Sequence, residues 1–373
     1  MLKLIALILI HSVMSLAWAA EVATVNPETH SGGLAKLKNN HVFQASNSPV
    51  ALEAKVLTPA DKEIAALANQ LIDANATTSI LLIEKGKLIF EKYKAPATSS
   101  SPLFSQSMSK SLTAYTIGHL LCEGKIQSLD DRADTYATAL AGTVLGEASI
   151  KHLLTMSSGA KDGITSGQTY VGEWTDIAYK GVSTLDVIKK YGQRDTTLFG
   201  NPLPGGTEFR YKAIDTYALE HVADRAAGFL KTFERAIWQQ ARTESKGYWL
   251  TDSSQHAQAA SGVSATGRDW ARLAMQSLKD LKHGSPCMQK FMQEATTSQL
   301  PNSARRVGKA FKGYGYQTWI ADFGRKPSYW WIGYGGQRVG IEPESEKIIV
   351  LTSHREDYMD SVYKLFTAWQ NSN

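Results

Sequence analysis

Cysteine is scarce in this chain, which has only Cys122 and Cys287 among its 373 residues. The two are far apart in the sequence and have no pair of histidines nearby, so they do not form the ligand pattern of a zinc site. On this ground the sequence predicts no metal site. In an oxidising compartment the two cysteines would form one disulfide, and otherwise they remain two buried thiols; the sequence alone leaves both alternatives open.

Long apolar runs are absent beyond the N-terminus. The chain begins with a short positive stretch that includes Lys3, continues with apolar residues 4–10, and then has small residues at Ala17 and Ala19, the two positions that a signal peptidase reads. The apolar run is well below the roughly 20 residues that span a bilayer. We therefore predict that residues 1–20 are a removed signal peptide. We expect a secreted protein, in the bacterial periplasm, with no stable membrane anchor.

Clusters of like charge are absent as well. The formal net charge is +5, and the Lys and Arg residues are scattered along the chain instead of forming a basic stripe. Nucleic-acid binding is therefore not expected. Apolar residues make up 43% of the chain and charged residues 20%, which is the composition of a globular protein with enough length to bury a large core.

Turn signals and hydrophobic periodicity divide the chain into parts. Residues 21–58 are rich in turn formers and lack periodicity, which predicts an extended arm. Residues 59–373 are predicted to form one domain. Its α/β part comprises residues 59–105 and 308–373, and a mainly helical part, residues 106–307, lies between them. The sequence thus predicts an α+β fold in which N- and C-terminal strands build one antiparallel sheet, flanked by helices and interrupted by a large helical insertion.

Spacing and capping residues also predict individual elements. A helix is expected to begin at Pro59 with Thr58 as its cap, and two strands are expected to form a hairpin joined by Lys85 and Gly86. The C-terminal elements are predicted as strands over residues 314–322, 328–332, 337–341 and 347–353 and a helix over residues 357–369.

The chain contains two Ser-x-x-Lys patterns, which begin at Ser107 and at Ser361. About two such matches are expected by chance in a chain of this length and composition, so the pattern alone carries no function. Residues three apart lie on the same face of a helix, so the hydroxyl of Ser107 and the amine of Lys110 would meet there as an activated nucleophile. Ser361 falls in the predicted terminal helix beside its packing stripe, which indicates a coincidental match.

Four stretches of the chain follow one another in a recognisable order. They are Ser107-Met-Ser-Lys110 with the helix after it, Leu153-Leu-Thr-Met-Ser-Ser-Gly159, Pro204-Gly-Gly-Thr-x-Phe-x-Tyr211 and Gly333-Tyr-Gly-Gly-Gln337. This order resembles the serine β-lactamase and penicillin-binding protein superfamily, in the class C branch that also contains esterases and 6-aminohexanoate-dimer hydrolases. The resemblance covers residues 60–368 and implies a β-lactamase/transpeptidase-like fold.

The resemblance implies catalytic roles for three side chains. Ser107 would be the nucleophile, Lys110 its activating partner, and Tyr211 a phenol that shares proton transfer with Lys110. No metal or cofactor takes part in that chemistry. Asp215, four residues after Tyr211, is expected to orient Lys212 or to meet a substrate amine, with a plain helix-start residue as the alternative.

The resemblance also implies an oxyanion hole made of backbone groups. Its two donors would be the N–H groups of Ser107 and Tyr334. The glycines Gly333, Gly335 and Gly336 would let this strand approach the reacting carbonyl closely, with an ordinary bulge as the alternative.

The sequence departs from the family where the family holds a substrate carboxylate. The family's Lys-Thr-Gly becomes Trp331-Ile332-Gly333, and the Asn of its Tyr-x-Asn becomes Ala213. The Lys cation and the Thr hydroxyl of that motif, which would hold a substrate carboxylate, are therefore missing here. We expect an uncharged ester or amide as the small-molecule substrate. The side chains and glycines expected to bind it along the cleft are Tyr170, Trp174, Trp331, Ile332, Gly333 and Gly335.

Three hypotheses for the function follow. The first is a secreted serine hydrolase that cleaves an ester or amide through an acyl-enzyme on Ser107. The second is a β-lactamase or D,D-peptidase that acts on β-lactams or peptidoglycan stems. The third is a non-catalytic protein that binds a cell-wall ligand on the same scaffold. The intact set of Ser107, Lys110 and Tyr211 favours the first hypothesis over the third, and the sequence makes no prediction of the oligomeric state.

Overall fold

The structure is a computed structural model that describes residues 26–161, 176–177, 180–303 and 307–372. The predicted signal peptide lies outside these ranges. The α-helices, in chain order, are α1 (Pro59–Ala74), α2 (Ser109–Cys122), α3 (Val144–Glu147), α4 (Ile150–Leu154), α5 (Thr184–Tyr191), α6 (Ile214–Ala227), α7 (Phe229–Phe233), α8 (Gly267–His283), α9 (Pro286–Ala295) and α10 (Met359–Asn371). None of the described helices is long and apolar enough to cross a membrane.

Other helical turns and the strands complete the described secondary structure. The turns, of 3-10 or π type, are Thr29–Gly33, Leu34–Lys36, Gln106–Met108, Ala133–Thr135, Thr138–Leu140 and Glu234–Trp238. The strands are β1 (Asn40–Phe43), β2 (Thr77–Glu84), β3 (Lys87–Tyr93), β4 (Leu103–Phe104), β5 (Gly247–Leu250), β6 (Val263–Ala265), β7 (Leu300–Pro301), β8 (Phe311–Tyr314), β9 (Trp319–Ala321), β10 (Tyr329–Gly333), β11 (Gln337–Glu342) and β12 (Lys347–Ser353).

The main sheet joins the two ends of the domain. Its eight strands have the order β3-β2-β12-β11-β10-β9-β8-β7, and every neighbouring pair is antiparallel. The N-terminal strand β2 pairs with the C-terminal strand β12 from Glu84 opposite Lys347 to Thr77 opposite Ser353. The prediction of an α+β fold with one antiparallel sheet built from both ends is confirmed.

Two hydrophobic cores lie on opposite faces of this sheet. Along β10, Tyr329 and Trp331 belong to the core that contains α2, α6 and α8, whereas Trp330 and Ile332 belong to the core that contains α1 and α10. Successive side chains of a strand point to opposite faces, so one short strand contributes to both cores. The sheet is therefore a middle layer, covered on both faces by helices.

A second, smaller sheet lies beside the helical part. Its four strands have the order β1-β5-β6-β4, so the part predicted as mainly helical also supplies β5 and β6. The segment predicted as an extended arm supplies β1, which pairs with β5. Phe43 is fully buried there, with its ring 5.1 Å from that of Phe233 and 5.6 Å from that of Trp238. Strand pairing with β5 and burial of this aromatic side chain together hold a segment that has no periodicity of its own.

The strand predicted over residues 314–322 is two strands, β8 and β9, separated by a turn. A Cβ atom on Gly315 would collide with the carbonyl oxygen of Ala295, and Gln317 has a positive φ of 51°. The Gln317 side chain donates a hydrogen bond to the carbonyl of Leu153 at 2.8 Å. The break therefore comes from contacts with distant helices, which the local strand pattern does not contain.

A disulfide between Cys122 and Cys287 decides between the two alternatives that the sequence left open. Cys122 is the last residue of α2, and Cys287 lies in the first turn of α9. The two helices also pack closely, because a Cβ atom on Gly118 would collide with the ring of Phe291. The crosslink thus joins α2, the helix that carries Lys110, to a neighbour against which it already packs.

Candidate active site

Ser107 lies in the short helical turn between β4 and α2. The preceding residue, Gln106, has a positive φ of 47°, a conformation that costs energy in a residue with a side chain and often occurs at functional sites. Ser105 anchors this turn to β6, because its N–H donates to Val263 O at 2.8 Å and its hydroxyl accepts from Val263 N at 3.2 Å. Ser107 itself is half-buried, while the residues that follow it are buried.

Lys110 lies one turn further along α2 and is 2% exposed. Its Nζ donates to Ser107 Oγ at 3.0 Å and to the carbonyl oxygen of Ala260 at 2.8 Å. A serine hydroxyl within hydrogen-bond distance of a buried amine is an arrangement that suits proton transfer from the hydroxyl. The structure thus brings Ser107 and Lys110 together on one helix face.

Tyr211 reaches the same place from the segment before α6. Lys110 Nζ lies 5.2 Å from the centroid of its ring. The ring is held by other aromatic side chains, with centroid distances of 5.2 Å to Trp319, 6.1 Å to Tyr314 and 6.5 Å to Phe209. This packing fixes the ring beside the Lys110 amine.

The end of β10 closes the site from the sheet side. A Cβ atom on Gly333 would collide with the carbonyl oxygen of Ser105, so the strand can approach the Ser107 turn only because this residue is glycine. Arg338 donates to Gly333 O at 2.8 Å. A trans peptide places its C=O and its N–H on opposite sides, so the N–H of Tyr334 points away from Arg338.

Tyr334 and the glycines after it form the turn between β10 and β11. Tyr334 is 50% exposed and lies outside the strand ladder, in which Gly333 pairs with Gln337. Gly335 and Gly336 have positive φ values of 74° and 97°, so this turn requires glycine at both positions. The backbone that would supply an oxyanion donor therefore stands at the end of the strand nearest the Ser107 turn.

Asp215 is a buried residue that follows Tyr211 by four positions. It lies in the first turn of α6 with 0% exposure. Its Oδ1 accepts from Ser158 Oγ at 2.7 Å, and its Oδ2 lies 3.3 Å from Lys212 Nζ. Burial raises the pKa of the Asp215 carboxyl, and the Lys212 ammonium opposes this shift. The enclosed carboxylate is in contact with Lys212, as expected of a residue that orients this lysine, and its contact with a substrate amine stays a prediction.

Two of the strand residues expected to bind substrate lie in the hydrophobic cores. Trp331 is 3% exposed and Ile332 is 5% exposed, and they pack into the two opposite cores. Both side chains are covered by packing on the two faces of β10, and the prediction that they bind substrate stays a prediction. Tyr170 and Trp174, also expected along the cleft, lie outside the described residues.

Sequence reasoning missed two features of this region. The first is the Ala260 carbonyl, a backbone group 150 positions away from Lys110, for which no motif exists. The second is a group of three side chains, Glu220, His221 and His256, whose potential ligand atoms lie within 4.8 Å of one another. Burial raises the pKa of Glu220 to about 7, and the hydrogen bond with Glu220 raises the pKa of His256 to about 9. The long separation of His256 from the other two residues hid the group in the sequence.

Comparison with known proteins shows similarity to one protein family and to a hydrolase. The profile of the family described as Beta-lactamase matches residues 64–370. The chain is 25% identical over 305 residues to the 6-aminohexanoate-dimer hydrolase of Paenarthrobacter ureafaciens, a match that covers 77% of this chain and 75% of that protein.

Solved structures show the same fold. The chain is similar to a provisionally named 6-aminohexanoate-dimer hydrolase from Bacillus anthracis, with a TM-score of 0.77 and 19% identity over 92% of this chain and 93% of that one. It is also similar to the octameric penicillin-binding protein homologue from Pyrococcus abyssi, with a TM-score of 0.64 and 16% identity over 84% of this chain and 78% of that one.

Proposed function

The chain belongs to the beta-lactamase family, and from this premise we propose that it is a serine hydrolase that cleaves an uncharged ester or amide through an acyl-enzyme on Ser107. The observation that carries the proposal is the 3.0 Å hydrogen bond between Lys110 Nζ and Ser107 Oγ at the buried start of α2. The position of the Tyr211 ring beside the same amine supports it.

The proposed reaction has two halves. Lys110 takes the proton of Ser107 as Oγ attacks the substrate carbonyl carbon, and a tetrahedral intermediate forms. The N–H groups of Ser107 and Tyr334 hold its oxyanion, and each donor of this kind is worth about 3 kcal/mol in related chemistry. Lys110 and Tyr211 pass the proton to the departing alcohol or amine, which leaves the acyl group on Oγ. Water then attacks the acyl-enzyme, and the acid is released.

The preference for an uncharged substrate rests on β10. Trp331 and Ile332 occupy the positions where the family pattern has a cation and a hydroxyl. Neither an indole nor an alkyl side chain supplies the positive charge or the hydroxyl of the family pattern. The name of the Paenarthrobacter ureafaciens relative, a 6-aminohexanoate-dimer hydrolase, favours short amide oligomers as one substrate group to test, with simple esters as the other.

A panel of p-nitrophenyl esters, short amide oligomers and nitrocefin tests this proposal. We expect turnover of an ester or amide by the wild type and a loss of at least about 10³-fold in Ser107→Ala. Dominant nitrocefin turnover would instead support a β-lactamase. A measurable affinity for cell-wall peptides without any burst from activated esters would support a non-catalytic binding protein.

We also propose that the protein works in an oxidising compartment outside the cytoplasm. The signal-like pattern of residues 1–20 and the disulfide between Cys122 and Cys287 support this placement. Fractionation of cells that express the full chain, followed by N-terminal sequencing of the mature protein, tests it. Retention of an uncleaved chain in the cytoplasm would contradict it.

A further inference from the structure

One carboxylate and two imidazoles meet between α6 and the loop after β5. Glu220 and His221 are consecutive residues of α6, and His256 belongs to the loop. Glu220 is 1% exposed and His221 is 3% exposed, whereas the side chain of His256 keeps 24% of its exposure. None of the three has a role in the hydrolysis proposed above.

The three side chains present their ligand atoms to one another. Glu220 Oε2 lies 3.1 Å from His256 Nδ1 and 3.9 Å from His221 Nδ1. The two imidazole rings have a centroid distance of 4.2 Å. Zinc bonds of about 2.0–2.1 Å to nitrogen and oxygen place tetrahedral ligand atoms roughly 3.3 Å apart. The Glu220–His256 separation is close to that value, and all three ligand atoms lie within 4.8 Å of one another, so side-chain rotations would complete the ligand set.

Hydrogen bonds around His221 determine which of its nitrogens carries a proton. The Thr184 hydroxyl donates to Asp252 Oδ2 at 2.9 Å, so its oxygen accepts at 3.0 Å from His221 Nε2–H. In the neutral ring, Nδ1 therefore has a lone pair, and this nitrogen lies 3.9 Å from Glu220 Oε2. A lone-pair nitrogen and a carboxylate oxygen this close together in a buried place favour a cation that binds both. An imidazole oriented through its second nitrogen is also typical of metal-binding histidines.

We propose that Glu220, His221 and His256 form a binding site for a divalent transition-metal ion of the zinc type. The ion binds one Glu220 oxygen and the Nδ1 atoms of both histidines. His256 Nδ1 releases its proton to solvent on binding, and the hydrogen bond to Glu220 is replaced by two metal bonds. Water completes the coordination on the exposed side of His256, which is also the access route. The bound ion joins α6 to the loop that follows β5.

Zinc titration of the full chain, after removal of metals with a chelator, tests the site. We expect one Zn²⁺ per chain by calorimetry, a higher melting temperature with Zn²⁺, and visible absorption of four-coordinate Co²⁺ when that ion is used. Loss of the ligand in His256→Gln is expected to weaken binding at least about a hundredfold. In Thr184→Val, which removes the group that orients His221, binding is expected to weaken about tenfold.

His283→Gln is the matched control, because His283 is exposed at the end of α8 and is not one of the three grouped residues. It is expected to bind Zn²⁺ as the wild type does. A wild type that binds no Zn²⁺ at one equivalent, or equal affinities in the wild type and Thr184→Val, would overturn the proposal. If His256→Gln fails to fold, the Co²⁺ spectrum of the wild type and the Thr184→Val affinity decide the question.

Discussion

At the scale of single residues, the candidate chemistry depends on how Lys110 is held. Its side chain is almost fully buried, and the Ala260 carbonyl accepts one of its N–H groups while another points to Ser107 Oγ. The carbonyl thus keeps the amine directed at the hydroxyl. Tyr211 stands beside the same amine with its ring fixed by Trp319, so the contribution of its hydroxyl can be separated from that of its packing.

Tyr211→Phe keeps the aromatic ring and removes the hydroxyl alone. We expect kcat for an activated ester to fall by about 10²–10⁴-fold, because one participant in proton transfer is lost, while the melting temperature changes little. Tyr334→Phe is the control, since Tyr334 is proposed to act through its backbone N–H. Equal kcat values for Tyr211→Phe and the wild type would exclude a catalytic role for the phenol.

Gly333→Ala tests the backbone part of the site. The new Cβ atom would collide with the carbonyl oxygen of Ser105, so the end of β10 and the Ser107 turn must move apart. We expect kcat to fall by about 10²–10³-fold, as for the loss of one oxyanion donor. Tyr334→Ala keeps the backbone N–H and should retain most activity. A folded Gly333→Ala variant with wild-type kcat would contradict this account of the oxyanion hole.

Residue pairs that are close in sequence could be predicted, and groups from distant segments could not. Ser107 and Lys110 are three residues apart, and this spacing alone makes them neighbours on a helix. The Ala260 carbonyl carries no sequence signal, because every residue type has one. The enclosure of Asp215 by Ser158 and the core positions of Trp331 arise from packing between elements, which residue type alone does not indicate.

At the scale of elements, the disulfide between α2 and α9 is a covalent restraint on α2, the helix that carries Lys110. It joins Cys122 and Cys287 across 165 positions of the chain. A crosslink over so long a loop removes many conformations from the unfolded state. It lies at the end of α2 opposite the site, roughly 20 Å from Ser109 at a rise of about 1.5 Å per residue.

The double variant Cys122→Ser/Cys287→Ser is expected to lose about 2–5 kcal/mol of unfolding free energy. Because the crosslink is remote from Ser107, the activity of each folded molecule should stay close to that of the wild type. Urea unfolding followed by circular dichroism measures the loss. A reductant should lower the stability of the wild type to that of the variant and leave the variant unchanged; an equally stable variant would show that the crosslink adds nothing.

Where a helix or strand has a short-range sequence signal, such as a cap or a tight turn, the structure has that cap or turn where it was predicted. Helix α1 begins after Thr58, whose side chain accepts from Asp61 N–H while the Asp61 carboxylate accepts from Thr58 N–H. The hairpin of β2 and β3 turns at Lys85 and Gly86 as expected. Strand β1 and the break between β8 and β9 were not predicted, because both depend on side chains from distant parts of the chain.

At the scale of the whole molecule, the N-terminal segment covers part of the second sheet. The turn Thr29–Gly33 lies against β4, and His30 in that turn is 2% exposed. Neither ring nitrogen of His30 has a hydrogen-bond partner among the described residues. Burial, with a smaller contribution from nearby His354, lowers the pKa of His30 to about 3. The folded chain therefore resists protonation of this histidine.

This burial predicts a loss of stability in acid. The unfolded chain takes up a proton on His30 near pH 6.5, whereas the folded chain does so only near pH 3. Above pH 6.5 the residue has no effect, and between these two values acidification favours unfolding. The expected loss from this residue is about 2 kcal/mol between pH 6.5 and pH 5, at about 1.4 kcal/mol per pH unit.

Urea unfolding at several pH values measures this effect. His30→Gln should remove this part of the pH dependence, and His283→Gln, which changes an exposed histidine, should keep it. Identical pH dependence in His30→Gln and the wild type would show that His30 titrates normally in the folded chain. The packing of the N-terminal segment against the second sheet could not be predicted, because its contacts come from aromatic and strand residues far along the chain.

The central claim, that Ser107 is an activated nucleophile, is tested most directly by intact-mass analysis after reaction with a fluorophosphonate probe. We predict one adduct per wild-type chain, located at Ser107 by peptide mapping, and none on Ser107→Ala. Ser361→Ala, which changes the serine of the other Ser-x-x-Lys pattern, should be labelled as the wild type is. A folded wild type without an adduct, or equal labelling of Ser107→Ala, would contradict the account.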